Sequence, residues 1–396
     1  MTAMLLALFV LAVALMVPQL PAVALGEAPA SAPVRAVQSK RQEDVAADEL
    51  VAWILESGGK ANVEVRRNAA GVRGLYATRR IEAGQDIYSV PLSCILNAGD
   101  MQDFSLPTLA LLREMHTPCS RFSAYVRAMP PPEHQLNGCN LPLSYVPLLQ
   151  SSYWEDQVLT WRSLLTRLLG GELNDSAAVL LPEAVGRAAD NMTLLELQYA
   201  CSLASSRYIT GEPRQRMLLV PLFDMANHRP GCPHAVRSFE RPDPSFRLVA
   251  GERIRKGEEV CYSYGDMADD VALVHYGILA GGSHTHPPRL LMVDHHLFDP
   301  EAGSNLVPPV PFEPATEKER RRELKRLRAR LADLRELDRR AAALPAPQPE
   351  PGYERALKLM LRLQVIRREA LEAEIGRLGA LGKAAKMGKG GAQEEL

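Results

Sequence analysis

The chain has no CxxC pair, no Walker-type phosphate loop, no dinucleotide fingerprint, no GxSxG elbow and no HExxH pair. It therefore lacks the strong signatures of thiolate zinc modules, P-loop and Rossmann nucleotide binding, α/β-hydrolases and zincins. It also lacks a dominant charge: the formal net charge is -1. That gives no overall electrostatic reason to expect nucleic-acid binding. Six cysteines (Cys94, Cys119, Cys139, Cys201, Cys232, Cys261) are too scattered to read as a disulfide framework and are expected to be core or free thiols. No sequence repeat is visible. A chain of 396 residues can bury a large core and suggests two or three domains. A hydrophobic content of 46% with 23% charged residues fits a soluble globular protein.

The N-terminus stands apart. MTAMLLALFVLAVALMV is an almost unbroken apolar run, followed by Pro18, Pro21 and AVALGEAPASAP. It is short for a membrane span. It reads as a signal-peptide apolar region with a small-residue cleavage zone at Ala22-Val23-Ala24, with an uncleaved anchor as the alternative. Membrane contact is expected only through this segment. The secretory pathway, a plastid and a membrane-anchored location all stay open. The sequons at Asn174 and Asn191 would permit glycosylation on a secretory route. Thr193 and Glu196 also read as a helix capping box.

Residues 31–48 are polar and expected to form a linker, with DELVAWILESGG as the first helix. VEVR and IYSVP read as short strands punctuated by Gly71, Gly74 and Gly84. Residues 100–210 change to helical spacing, and strand-like RMLLVPLFDM, FRLVA and EEVCYSYG then return. Two groups of strands thus flank a helical block, and they are expected to pair into one β core. In the tail, Leu324, Leu327, Leu331, Leu334 and Leu337 fall on one helical stripe, and YERALKLMLRLQVIRREALEAEIGRL is a second amphipathic stretch. An antiparallel helix pair is expected, with its Arg, Lys and Glu on solvated faces. The last residues, GKAAKMGKGGAQEEL, are expected to be disordered.

One stretch, VPLFDMANHRPG at 220–231, carries a question of its own. An apolar, strand-like start runs straight into Asp224, Met225, Ala226, Asn227 and His228. Val220 to Phe223 would anchor it in the core as a strand, and Asp and Asn suit the turn that follows. Nearby, His228, Cys232 and His234 are potential zinc ligands, but their spacing matches no strong zinc pattern. No metal is expected.

Three segments together resemble the SET-domain methyltransferases. GVRGLYATRRIEAGQDIYSVP resembles the family's opening strand pair. VPLFDMANH resembles its second signature, and GERIRKGEEVCYSYGDMADDVALVHYGIL its third. The helical insertion, with SSRYI at 205–209, resembles the branch that holds the plant Rubisco large-subunit lysine methyltransferase and the actin-histidine methyltransferase. The resemblance implies an α+β fold: a β-rich SET core with a helical insertion, then a helical C-terminal domain similar to a substrate-binding one. The expected division is 1–44 for targeting segment and linker, and 45–280 for the SET domain. Within the latter, 61–265 is the core and about 100–210 the insertion; 281–382 is the C-terminal domain and 383–396 a disordered tail.

The resemblance also implies S-adenosylmethionine (AdoMet) as methyl donor and a protein substrate. Val72, Arg73 and Gly74 would offer main-chain groups to the cofactor, although Val72 stands where the family often has glycine. Arg207 would meet its carboxylate end, and Asn227 and His228 its amine and adenine. Asp224 is grouped with these contacts while shaping the turn, and Tyr276 is also placed at the cofactor. Tyr264 would be catalytic and Tyr262 would line the substrate channel. At 268–272 the chain reads ADDVA where the branch often reads SNAEL. The implied activity is protein-lysine N-methylation of a non-histone protein. Protein-histidine methylation and a catalytically silent partner-binding scaffold are the alternatives.

Overall fold

The structure, a computed structural model, describes residues 40–69, 71–100, 105–170, 192–211, 216–238, 245–279, 289–300, 310–343, 347–350 and 352–390. The signal-like segment, Asn174, Asn191 and residues 391–396 lie outside the described residues. No described helix is long and apolar enough to cross a membrane. The chain divides into two compact units. One combines Ala24–Asn140 with Leu159–Gly265, and the other includes Leu141–Val158 and Asp266–Leu396.

The first unit opens with α1 (Lys40–Glu56), which starts well before the expected helix at Asp48 and takes up part of the expected linker. Buried Glu43, Ala46, Ala47, Leu50 and Ile54 recur at helical spacing, so the polar-looking stretch already has a core-facing side. The helix stops at Gly58, whose φ of 88° suits glycine, and Gly59 N–H closes back on Ile54 O at 2.9 Å.

Short strands follow: β1 (Lys60–Ala61), β2 (Val63–Arg67), β3 (Arg73–Ala77), β4 (Asp86–Pro91) and β5 (Leu96–Asp100). After the helices α2 (Ser105–His116), α3 (Ser123–Ala128), α4 (Ser152–Leu169) and α5 (Leu194–Arg207), the strands resume. These are β6 (Tyr208–Gly211), β7 (Arg216–Leu219), β8 (Asn227–His228), β9 (Ala235–Ser238), β10 (Ser245–Val249) and β11 (Glu259–Tyr262). The early and late strands do pair. The sheets have orders β1-β4-β10-β9, β2-β3-β11-β8 and β5-β7-β6. Phe246 faces Val90 across β10–β4, and Val260 faces Leu75 across β11–β3. Ile87, Tyr88, Leu75, Val260 and Leu248 are fully buried. Each such side chain contributes roughly 1.5–3 kcal/mol by leaving water.

Helix α5 begins with the expected capping box: Thr193 Oγ1 accepts from Glu196 N–H at 3.2 Å, and Thr193 N–H donates to Glu196 at 2.9 Å. The expectation that the cysteines are unpaired is wrong. Cys139–Cys201 and Cys232–Cys261 are disulfides, while Cys94 is buried and free and Cys119 is exposed and free. Separations of 62 and 29 residues hide both pairs from a linear reading, because folding brings the partners together.

The second unit holds α6 (Asp269–Tyr276), α7 (Glu317–Ala342) and α8 (Glu354–Gly390). Helix α6 persists despite the ADDVA departure, because Asp270 has a structural role. Its buried carboxylate accepts from Trp154 Nε1 at 2.9 Å and from the Met292 and Val293 N–H groups. Helices α7 and α8 pack antiparallel, as two contacts show. Asp338, late on α7, pairs with Arg368 of α8, while Arg320, early on α7, reaches Leu378 O further along α8. Leu324, Leu327, Leu331 and Leu334 are buried against Ala370, Leu371 and Leu378, as the stripe predicts. Leu337, the fifth stripe residue, is 41% exposed. Helix α8 continues to Gly390, past residue 383 where a disordered tail was expected.

Candidate functional site

Strand β7 ends at Leu219, so residues 220–223 are not the strand that their composition suggested. Val220, Leu222 and Phe223 are buried all the same, and the chain turns sharply at Leu222, with φ 65°. A left-handed non-glycine residue costs about 1–3 kcal/mol and persists only where its surroundings hold it. A short 3-10 turn, Phe223–Met225, follows. Beyond it, Asn227 and His228 lie alongside β11 in a parallel ladder, Asn227 opposite Cys261 and His228 opposite Tyr262.

Tyr264 stands just beyond β11. Its hydroxyl donates to Ala226 O at 2.7 Å, and its N–H donates to His228 Nδ1 at 3.1 Å. An imidazole that accepts at Nδ1 carries its proton on Nε2 when neutral. The His228 and Tyr264 rings are 5.2 Å apart. Tyr262 packs edge-on against Phe223 at 4.5 Å and lies 6.4 Å from Tyr264. Burial pushes the Tyr262 phenol up, so it stays neutral.

Behind the turn is a cluster of buried charge. The Asp224 carboxylate is fully buried; it accepts from Tyr125 OH at 2.7 Å and from Arg207 Nη1 at 3.4 Å. Arg207 also donates to Asp224 O at 2.7 Å and to Gln135 Oε1 at 3.3 Å. Arg73 donates to Ala128 O at 2.8 Å and lies 3.7 Å from Glu43. Burial, then the neighbouring Arg207 charge, lowers the Arg73 pKa. Burial raises the Asp224 pKa, against the pull of Arg207. Three buried atoms here have no hydrogen-bond partner among the described residues: Arg207 Nε, Arg73 Nη1 and Asp224 Oδ1. Buried polar atoms are normally satisfied, so this cluster is unusual in holding two donors and one acceptor unused among the described residues.

Asn227, His228, Tyr262, Tyr264, Arg207, Asp224, Arg73 and Gly74 all belong to the first unit. Tyr276 belongs to the second, at the end of α6 beside His275. Val72 is 39% exposed, and its N–H and C=O are already bonded to Asn68 within the turn. The main-chain groups expected from Val72 are therefore engaged. Arg73 contributes a guanidinium instead, and Gly74 contributes room: a Cβ there would meet Asn227 Nδ2 at 2.7 Å and Glu259 Oε1 at 2.6 Å. Sequence reasoning missed Tyr125, Gln135 and Glu259. Only the partnerships of the fold single them out.

Cys232, His234 and Cys261 come together with ligand atoms within 4.8 Å of one another. The group differs from the one considered in sequence, since Cys261 takes the place of His228. The two sulfurs are bonded to each other.

The SET domain family model matches residues 72–265. A comparison with curated protein sequences found no match. Among solved structures, Rubisco LSMT bound to AdoMet is similar, with TM-score 0.56 and 16% identity over 85% of this chain and 92% of that one. The SET domain of LSMT bound to lysine and AdoHcy gives TM-score 0.55 and 14% identity over 85% and 91%. Rubisco LSMT bound to sinefungin and monomethyllysine gives 0.54 and 15% over 85% and 92%. Residues 72–265 thus form a SET domain, in a chain with the fold of the Rubisco LSMT structures.

Proposed function

We propose that the chain is an AdoMet-dependent protein methyltransferase acting on the side-chain nitrogen of lysine in a non-histone protein. One observation carries the reading: the Tyr264 phenol is fixed on Ala226 O, one residue before Asn227. With its proton donated there, the phenol oxygen can meet a further group only as an acceptor. That suits an electron-poor methyl or an incoming amine. The structures similar in fold are complexes with AdoMet, AdoHcy, lysine or monomethyllysine, which supports the same ligands here.

AdoMet supplies an activated methyl: the new N–CH3 bond forms as the S–CH3 bond breaks, and its electron pair stays on sulfur. The protein's task is mainly alignment. In this reading Arg207 and Arg73 hold the donor's carboxylate, and Asn227 and His228 hold its amine and adenine. The acceptor must be neutral, which for a free lysine of pKa about 10.4 costs about 4.6 kcal/mol at pH 7. Phe223, Tyr262 and Tyr264 offer an aromatic wall that disfavours the ammonium form. The two disulfides support an oxidising compartment, in keeping with the signal-like N-terminus.

Calorimetry of the purified full chain with AdoMet is the first test, and absence of binding overturns the reading. In Tyr264→Phe, labelled-methyl transfer should fall by about a hundredfold or more while AdoMet affinity stays within about threefold. Unchanged turnover removes Tyr264 from catalysis.

A further inference from the structure

Glu259 has no role in the reading above. It is the first residue of β11, and it faces Tyr76 across the antiparallel ladder with β3. Its Oε1 accepts from Asn227 Nδ2 at 2.7 Å. The same Asn227 nitrogen donates to Arg73 O at 2.9 Å. Both partners are pure acceptors: a main-chain carbonyl and a carboxylate. A carboxamide between two acceptors can present only its NH2 to them. Its orientation is therefore fixed by chemistry, and both its protons are engaged. Oδ1 is the group left over. Among the described residues, no hydrogen bond to it is found.

The close packing around this amide depends on Gly74. Any Cβ at that position would press on both Asn227 Nδ2 and Glu259 Oε1. Gly74, Asn227 and Glu259 thus form one small device: the glycine leaves the space in which the amide and the carboxylate meet.

We infer that Glu259 is a positioning residue for the methyl donor: it locks the Asn227 carboxamide so that Oδ1 is presented as an acceptor for the donor's α-ammonium group. The inference rests on the AdoMet reading of the site. Without the carboxylate, Arg73 O alone holds the amide, which can more readily rotate about its last bond and present NH2, a donor, to an ammonium that needs an acceptor. The loss should then be specific to the amino group of the ligand.

The test is calorimetric titration of the full chain with S-adenosylhomocysteine and with its analogue bearing hydrogen in place of the α-amino group. Glu259→Gln keeps the shape and removes the charge; Glu259→Ala removes the contact. Glu259→Ala should bind S-adenosylhomocysteine about tenfold more weakly than wild type and Glu259→Gln, whose amide can either accept from or donate to Asn227, about threefold more weakly; both should bind the deamino analogue within about twofold of wild type. In turnover, KM for AdoMet should rise while kcat stays within about threefold. Equal weakening of both ligands, or no weakening of either, overturns the inference while leaving the AdoMet reading intact. Absence of S-adenosylhomocysteine binding by wild type overturns both. Thermal melts of the two variants check folding, and Glu259→Gln carries the test if the alanine variant does not fold.

Discussion

Two buried aspartates, one in each unit, meet arginine in contrasting ways. Asp294 is fully buried and makes a two-pronged pair with Arg367, at 2.6 and 2.7 Å. Arg330 adds a contact at 3.4 Å, and the remaining Arg367 Nη1 donates to Gln150 O at 2.7 Å. Among the described residues, no buried side-chain atom of that pair lacks a partner. The Asp224 carboxylate is equally buried, but it meets the Arg207 guanidinium at a single distance of 3.4 Å, while the shorter Arg207 bond goes to Asp224 O. Among the described residues, Asp224 Oδ1, Arg207 Nε and Arg73 Nη1 have no hydrogen-bond partner. A closed pair of the first kind holds structure. An open one costs stability unless a ligand completes it.

The largest expected effect is on the closed pair. Asp294→Asn or Arg367→Met leaves a buried charge without its partner and should destabilise by about 3–5 kcal/mol, read from denaturant unfolding. A loss below about 1 kcal/mol would mean that solvent reaches the pair.

The second effect comes from His275, buried in the same unit as Asp294. Burial lowers its pKa to about 4. The unfolded imidazole, with an ordinary value near 6.5, takes up a proton first as pH falls. Stability should therefore drop between pH 6.5 and 4, by about 3 kcal/mol for this group. His275→Gln should flatten that slope, and an unchanged slope would remove His275 as its source.

The smallest effect on stability is expected at the open cluster. The raised pKa of Asp224 means that the folded protein holds its proton more tightly than the unfolded chain does. Its contribution to stability thus rises as pH falls, opposite in sign to that of His275. Asp224→Asn should change folding stability by less than about 1 kcal/mol, because the contact removed is a long one and Arg207 keeps Asp224 O and Gln135 Oε1 as acceptors. A loss as large as that at Asp294 would erase the contrast.

Much of the fold was legible in the sequence. The alternation of VEVR, the apolar cluster of IYSVP, the Thr193–Glu196 box and the leucine stripe of α7 are local patterns, and local patterns survive in a linear reading. Of the candidate site, Asn227, His228 and Tyr264 were named from their signature segments, and the fold brings them together. The rest was hidden because it depends on distant partners. Tyr125 reaches Asp224 across 99 positions, and the two disulfides span 62 and 29. Residues 220–223 misled because apolar residues fill a buried turn as readily as a strand. Residues 40–48 misled because alternating charge masked a buried face.

The most direct test of the contrast is thermal unfolding of wild type, Asp224→Asn and Asp294→Asn, each with and without saturating S-adenosylhomocysteine. Ligand at about a hundred times its Kd stabilises a binding protein by about 2.7 kcal/mol. Asp224→Asn should melt near wild type without ligand and lose most of the ligand-induced rise. Asp294→Asn should melt well below wild type and keep that rise. The opposite pattern, or an equal rise in all three proteins, would contradict the assignment of the open cluster to ligand binding.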